Sequence, residues 1–99
     1  MTNWHSKSTD ELCEALLSLN TVDECYAFLE DICTIKEVID ISQRLSVAKM
    51  LKKGISYTQI TKETGASAAT ISRVSKCCEY GTGGYDVVFG RMEKENNAD

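Results

Sequence analysis

The amino-acid sequence predicts an all-α domain, and three observations support this fold class. The 99 residues include no proline, the residue that interrupts helices most strongly. Serine or threonine followed three residues later by glutamate or glutamine, the capping box that opens a helix, occurs repeatedly. Apolar residues after these boxes recur at a spacing of three and four, whereas no alternating strand pattern is present. The length allows one domain.

Capping boxes place the starts of the first three helices. The boxes are Ser8–Glu11, Thr21–Glu24 and Thr34–Glu37. The first helix is predicted over 9–19. The third is predicted to continue for about nineteen residues and to end at Gly54, a position where glycine is favoured because it adopts positive φ without strain.

Two shorter helices come next, as a pair. Ser56 is predicted to cap the fourth helix, Gly65 to end it, and Ser67 to cap a fifth helix that runs to about Tyr80. Two short helices joined by a turn with glycine indicate a helix-turn-helix motif over about 56–78. The inward-facing residues of the fifth helix are predicted to be Ala68, Ile71, Val74 and Cys78.

The remaining segments complete a single helical domain over 9–95. A sixth helix is predicted over 85–95, with residues 1–8 as a mobile arm and 96–99 as a polar tail. The sequence has neither a secretory signal nor an apolar run long enough to cross a membrane. We therefore expect a soluble protein of the cytoplasm that makes no membrane contact.

Charge is distributed unevenly along the chain, whose net charge is −4. Residues 1–43 carry two basic and nine acidic side chains, a net charge of −7. Residues 44–76 carry seven basic side chains against one acid, a net charge of +6, and residues 77–99 have a net charge of −3. A basic segment within an acidic chain is typical of a protein that presents one surface to phosphate, although lysines also cluster on helices by chance.

The basic segment coincides with the helix-turn-helix. Small and hydroxyl side chains allow a helix to approach DNA closely, and cations contact phosphate. In this motif the second helix enters the major groove while the first crosses the backbone. The predicted DNA-binding residues are Tyr57, Thr58, Gln59, Ser67, Ala68, Ala69, Thr70, Ser72, Arg73 and Lys76. A generic helical hairpin, with Arg73 as a structural cation, is the alternative.

Metal, cofactor and catalytic chemistry have little support. Five cysteines at irregular spacing and one histidine do not form the paired ligands of a zinc site, and we expect reduced thiols. No histidine lies near a nucleophile, and no glycine-rich phosphate loop follows a strand. Cys77 beside Lys76 is the one weak candidate nucleophile. The sequence therefore predicts a protein that is not an enzyme and that uses neither metal nor cofactor.

The run from Gly65 to Arg73, Gly-Ala-Ser-Ala-Ala-Thr-Ile-Ser-Arg, resembles the recognition-helix region of the Trp repressor superfamily. Segments 31–34, 43–45 and 80–81 are similar to the YerC/YecD branch, small TrpR-like proteins of Gram-positive bacteria. The resemblance covers about residues 10–92. It implies an intertwined all-helical homodimer with two helix-turn-helix units that binds double-stranded DNA, regulates transcription as a repressor, and associates with the nucleoid when bound.

The resemblance also implies an effector pocket, because the Trp repressor holds tryptophan beside its recognition helix. The matching positions here are Thr34, Arg44, Thr70, Arg73 and Val74. The Trp repressor has a glycine where Val74 stands, and two added methyl groups would overlap the indole. We therefore expect that tryptophan is not the effector and leave the effector's identity open. In the alternative interpretation, Val74 is a core residue and Arg44 pairs with Asp40 or Glu37.

The sequence leaves a second function open. The acidic net charge and the uncharged run from Ser67 to Ser72 are also compatible with a dimeric protein-interaction adaptor. Such an adaptor would keep the fold without binding a specific operator. A DNA-binding regulator is the leading prediction because the positive charge is concentrated at the motif.

Overall fold

The computed structural model describes residues 3–97, and over that range the chain forms six α-helices and no strand. The helices are α1 (Lys7–Leu17), α2 (Val22–Ile32), α3 (Ile35–Lys52), α4 (Tyr57–Thr64), α5 (Ala68–Tyr80) and α6 (Gly84–Asn97). The predicted all-α class is confirmed. Within 3–97, no helix is both long and apolar enough to cross a membrane.

The chain divides into two compact units, Met1–Val38 and Ile39–Asp99. The boundary falls inside α3. The burial of side chains gives the physical reason: α1 and α2 contain no buried residue. The six buried side chains found among the described residues all belong to the second unit.

The start of α1 differs from the prediction. Ser6, not Ser8, is the N-cap: its Oγ accepts the Thr9 N–H at 3.1 Å, and Thr9 Oγ1 accepts the Ser6 N–H at 2.8 Å. A threonine hydroxyl thus takes the role predicted for a carboxylate. Lys7 and Ser8 are therefore helical rather than part of the predicted arm, and the helix ends at Leu17 instead of residue 19. Residues 1–2 of that arm lie outside the described range.

The caps of α2 and α3 are those predicted from the sequence. Thr21 Oγ1 accepts the Glu24 N–H at 3.1 Å. At α3, Thr34 Oγ1 accepts the Glu37 N–H at 3.1 Å while the Glu37 carboxylate accepts the Thr34 N–H at 2.8 Å. This reciprocal pair satisfies two N–H groups that have no partner inside the helix. It also gives Glu37 a capping role at the start of α3.

A small apolar core holds the second unit together. Its fully or almost fully buried residues are Val47, Ala48, Ile60, Ala66, Ile71 and Val74. Tyr85 and Phe89 of α6 pack against this core, with stacked rings whose centroids lie 5.9 Å apart. Ala68, predicted to face inward, is exposed, whereas Ala66 in the preceding turn is buried. The turn fills the space between α4 and α5 with Ala66, so the first residue of α5 faces outward.

The last helix is longer than predicted. The sequence placed it over 85–95, and the structure extends it from Gly84 to Asn97, which includes the first two residues of the predicted polar tail. Residues 98–99 of that tail lie outside the described range. The helix begins after Gly83, whose φ of 85° is in the left-handed region that favours glycine.

Candidate nucleic-acid interface

The turn between α4 and α5 is closed by local hydrogen bonds around a glycine. Gly65 has φ 75° and donates its N–H to the Thr61 carbonyl at 2.9 Å. Thr64 Oγ1 donates to the Ile60 carbonyl at 2.7 Å and accepts the Ala66 N–H at 3.1 Å. These bonds hold the turn in place, and α5 begins after only three residues.

A serine cap orients the start of α5. Ser67 Oγ accepts the Thr70 N–H at 3.2 Å and lies 3.1 Å from Thr70 Oγ1, to which it donates. The two hydroxyls of this first turn are thus hydrogen-bonded to each other, and the Ser67 hydroxyl also accepts a backbone N–H. Ser67 itself is exposed, whereas Thr70 is partly buried.

The two sides of α5 have opposite character. At 100° per residue, positions 69, 72, 73 and 76 share one side of the helix. Ala69, Arg73 and Lys76 are exposed there and Ser72 is partly exposed. On the opposite side, Ile71 and Val74 are buried in the core. The helix therefore rests on the core by one face and offers solvent a face of small, hydroxyl and cationic side chains.

The first turn of α4 supplies a second exposed group. Tyr57, Thr58 and Gln59 are all exposed, and the Ser56 Oγ accepts the Gln59 N–H at 3.3 Å. The hydroxyl of Ser56 thus caps this helix as predicted. Ile60, the next residue along, is fully buried, so the exposed turn is anchored directly on the core.

Gln43 connects α3 to the motif, a role that the sequence pattern did not predict. Its Nε2 donates to the Thr64 carbonyl at 3.1 Å, across 21 residues of sequence. Gln43 stands four residues before the buried Val47 and so on the same side of α3. A polar residue on an apolar helical face is the signal by which it could have been found.

A polar cavity of about 240 Å³ lies beside α5, lined by Asp40, Gln43, Arg44 and Thr70. Of the five predicted effector residues, the structure brings Arg44 and Thr70 together here. Val74 is instead 2% exposed within the core, and Arg73 is exposed to solvent. Thr34 belongs to the first unit, where it caps α3.

An ion pair joins α3 to α6 in the second unit. Lys52 Nζ lies 2.7 Å from Asp86 Oδ1, and this hydrogen bond raises the pKa of Lys52 above its ordinary value of 10.5. Burial raises the pKa of the nearby Cys78 thiol, although the positive charge of Lys52 opposes that shift. Burial also raises the pKa of Tyr85.

In the described part of the chain, the side chains are not arranged to form a disulfide or to bind a metal ion. All five cysteines are free thiols, three of them partly buried. Within residues 3–97, no three histidine, cysteine or acidic side chains lie close enough together to hold a metal ion. The exposed face of α5 and the first turn of α4 remain the candidate site.

Comparisons with known proteins show the family to which the chain is similar. The Trp repressor protein family model matches residues 7–93. The chain is 47% identical over 88 residues to the uncharacterised protein YerC of Bacillus subtilis (strain 168), and the match covers 89% of this chain and 85% of that one. The resemblance to the YerC branch stated from the sequence is thus confirmed.

Solved structures give the same result. A TrpR-like protein from Eubacterium eligens ATCC 27750 superposes with a TM-score of 0.87 at 49% identity, covering 89% of this chain and 91% of that one. A structure described as a candidate Trp repressor from Staphylococcus aureus gives a TM-score of 0.87 at 45% identity, covering 90% and 89%. The chain belongs to the Trp repressor family.

Proposed function

We propose that this protein is a sequence-specific DNA-binding transcriptional regulator, a repressor, in which α4 and α5 form the helix-turn-helix. The observation that carries the proposal is the exposed face of α5, where Arg73 and Lys76 stand opposite the buried Ile71 and Val74. Family membership adds to it, because this is a regulator fold. The protein works in the cytoplasm and on the nucleoid.

Each element has a defined part in the proposed complex. The N-terminal half of α5 enters the major groove, where Ser67, Ala68, Ala69, Thr70 and Ser72 approach the base edges. Arg73 and Lys76 contact phosphate or base edges from the following turn. The first turn of α4 crosses the backbone, so the hydroxyl and amide groups of its residues 57–59 fix the register on the duplex.

A homodimer completes the site. The first three helices leave large apolar side chains exposed. These are Leu12, Leu16, Leu17, Val22, Tyr26, Ile32, Ile35, Ile39, Ile41 and Leu45. Burial of such side chains stabilises association, and a second copy of the chain presents the same apolar residues. Two recognition helices about one DNA turn apart then read the two halves of a pseudo-palindrome.

The regulator does not respond to tryptophan in this proposal. Arg44 and Thr70 line a cavity, but Val74 occupies the position where the Trp repressor has glycine and is committed to the core. The cavity itself is the candidate effector pocket, with its ligand unassigned. Titration calorimetry with tryptophan should give no saturable heat, and micromolar binding would contradict this part of the proposal.

The test of DNA binding is a pull-down of sheared genomic DNA by the full chain at roughly 0.15 M salt, near physiological ionic strength. The recovered fragments are sequenced, and the experiment is repeated with Arg73→Ala. Arg91→Ala is the matched control, because Arg91 is an exposed arginine on α6, outside the proposed interface. We expect a small set of pseudo-palindromic sites that Arg91→Ala retains and Arg73→Ala loses.

Salt dependence separates the regulator from the adaptor. The affinity for a recovered site should fall steeply with salt, and Lys76→Ala should reduce the slope of log K against log[salt] by about 0.9 if Lys76 neutralises one phosphate. Recovery of no DNA above background would contradict the regulator. The dimeric protein-interaction adaptor would then be the better explanation of the fold.

A further inference from the structure

We propose that the first turn of α5 recognises thymine through its 5-methyl group, with the methyl groups of Ala68 and Ala69 as the reading surface. This inference rests on the proposed function, since it names the bases that the DNA-binding face selects. It assigns the specificity to apolar contact rather than to direct hydrogen bonds from the first turn of the helix.

The Ser67 hydroxyl in this turn already acts as both donor and acceptor. Ser67 Oγ accepts the Thr70 N–H at 3.2 Å and donates to Thr70 Oγ1 at 3.1 Å. Thr70 is also partly buried and lines the cavity beside Arg44. Turning the Ser67 hydroxyl toward a base would break the cap that starts α5, which costs about 1 kcal/mol for a serine N-cap. Hydrogen-bond readout from Ser67 is therefore disfavoured.

Two exposed methyl groups in this turn can contact a base without hydrogen bonding. Ala68 and Ala69 are both exposed, although helix periodicity alone placed Ala68 inward. The backbone turn through Gly65 and the burial of Ala66 put both alanines on the outside. Neither side chain has a polar atom to offer to a base.

The groups that each base presents in the major groove indicate which base these alanines contact. Thymine is the base that presents a methyl group in the major groove, and alanine is one of the side chains that contact it. Guanine, adenine and cytosine have no methyl group at that edge, so an alanine packed against them would meet only polar atoms and leave those without a hydrogen-bond partner. Arg73, one turn further along the same face, supplies the charged contact that orients the helix.

The experiment begins with a pool of random-sequence duplexes selected on the full-length protein at roughly 0.15 M salt. A selected duplex is then synthesised twice, once with thymine and once with deoxyuridine at every thymine position, which removes only the 5-methyl groups. Affinity for the two duplexes is measured by fluorescence anisotropy. We expect the deoxyuridine duplex to bind about fourfold more weakly for each methyl group that contacts the protein.

Two variants locate the effect on α5. Ala69→Gly removes one of the two proposed methyl contacts and should reduce the difference between the duplexes. Ala27→Gly removes a helical alanine from α2, outside the proposed interface, and should leave the difference unchanged. Circular dichroism verifies that both variants keep the helical content of the unmodified chain.

The outcomes are distinct. If the two duplexes bind with equal affinity, or if Ala69→Gly keeps the full difference, the assignment to these methyl groups is wrong while DNA binding stands. If the pool yields no bound duplex, the proposed function and this inference fail together.

Discussion

Gln43 on α3 donates a hydrogen bond to the carbonyl of Thr64, the last residue of α4, at a distance of 3.1 Å. That carbonyl lies in the last turn of α4, where no helical N–H can reach it, and therefore needs an outside partner. The amide satisfies it and ties the helix-turn-helix to α3. The stability of the motif and the cavity beside α5 are thus linked through one side chain, because Gln43 also lines that cavity.

Gln43→Ala should lower the free energy of unfolding by about 1 kcal/mol, since one partly buried hydrogen bond is lost. Urea denaturation at fixed protein concentration measures the change. Gln59→Ala is the control: Gln59 is the other glutamine of the chain and its side chain is exposed, so its removal should cost less than about 0.5 kcal/mol. Equal midpoints for Gln43→Ala and the unmodified chain would contradict the role assigned to Gln43.

Ile71→Ala should destabilise the second unit by about 2–5 kcal/mol, because Ile71 is 0% exposed and its loss leaves a cavity between α5 and the core. Thermal unfolding followed by circular dichroism would show the loss. Val87 is the control, because its side chain is 52% exposed to solvent. Val87→Ala should lower the free energy of unfolding far less than Ile71→Ala. A small effect at Ile71 would mean that the core does not depend on this contact.

Gly65→Ala should destabilise the chain by about 1–2 kcal/mol, the cost of placing an L side chain in the left-handed region. No atom lies within 4 Å of a Cβ at Gly65, so the cost comes from φ alone. Gly54 has nearly the same φ, 76° against 75°, and equally open surroundings, so Gly54→Ala should cost a similar amount.

Gly65 precedes α5, whereas Gly54 follows α3. DNA affinity is therefore a second measurement that should distinguish the two variants. Gly65→Ala disturbs the turn that starts α5 and should weaken DNA binding in addition to stability. Gly54→Ala affects the end of α3 and should leave DNA affinity closer to that of the unmodified chain. Denaturation midpoints and anisotropy titrations on the same samples separate the two effects. If Gly65→Ala and Gly54→Ala lowered the free energy of unfolding by unequal amounts, backbone strain from the positive φ would not be the main cause of the loss.

The ion pair between Lys52 and Asp86 should make a contribution that depends on pH. Because the pKa of Lys52 is raised above 10.5 on folding, its stabilisation is complete below that value and is lost as the pH rises through the raised pKa. Asp86→Asn should therefore lower the melting temperature at about pH 8 and make little difference once the pH exceeds the raised pKa of Lys52. Melting curves of both proteins measure this, and the difference at about pH 8 should also shrink in high salt.

Asp10→Asn is the control for the ion-pair prediction, since Asp10 is an exposed acid in the first turn of α1. Its effect on the melting temperature should show no step near the pKa of Lys52. A step of the same size in both variants would mean that general deprotonation at high pH, and not the ion pair, causes the change.

Helix starts and stops were largely determined by sequence alone, because capping is a local matter. The caps of four helices at Thr21, Thr34, Ser56 and Ser67 were predicted correctly. Gly65 carries the positive φ expected of a helix-ending glycine, since only neighbouring residues decide that geometry. The start of α1 was missed because Ser8 is followed three residues later by Glu11, which fits the box, whereas Ser6 is followed by Thr9, which does not.

The arrangement of the site was decided by tertiary structure. The contact from Gln43 to Thr64 spans 21 residues, and no local pattern specifies such a pairing. Likewise, periodicity placed Ala68 inward, but packing between α4 and α5 buried Ala66 instead and left Ala68 on the surface. Local backbone chemistry thus determines where each helix of this protein begins and ends. The packing of the core decides which side chains are buried, and therefore which methyl groups and cations remain exposed for contact with a partner.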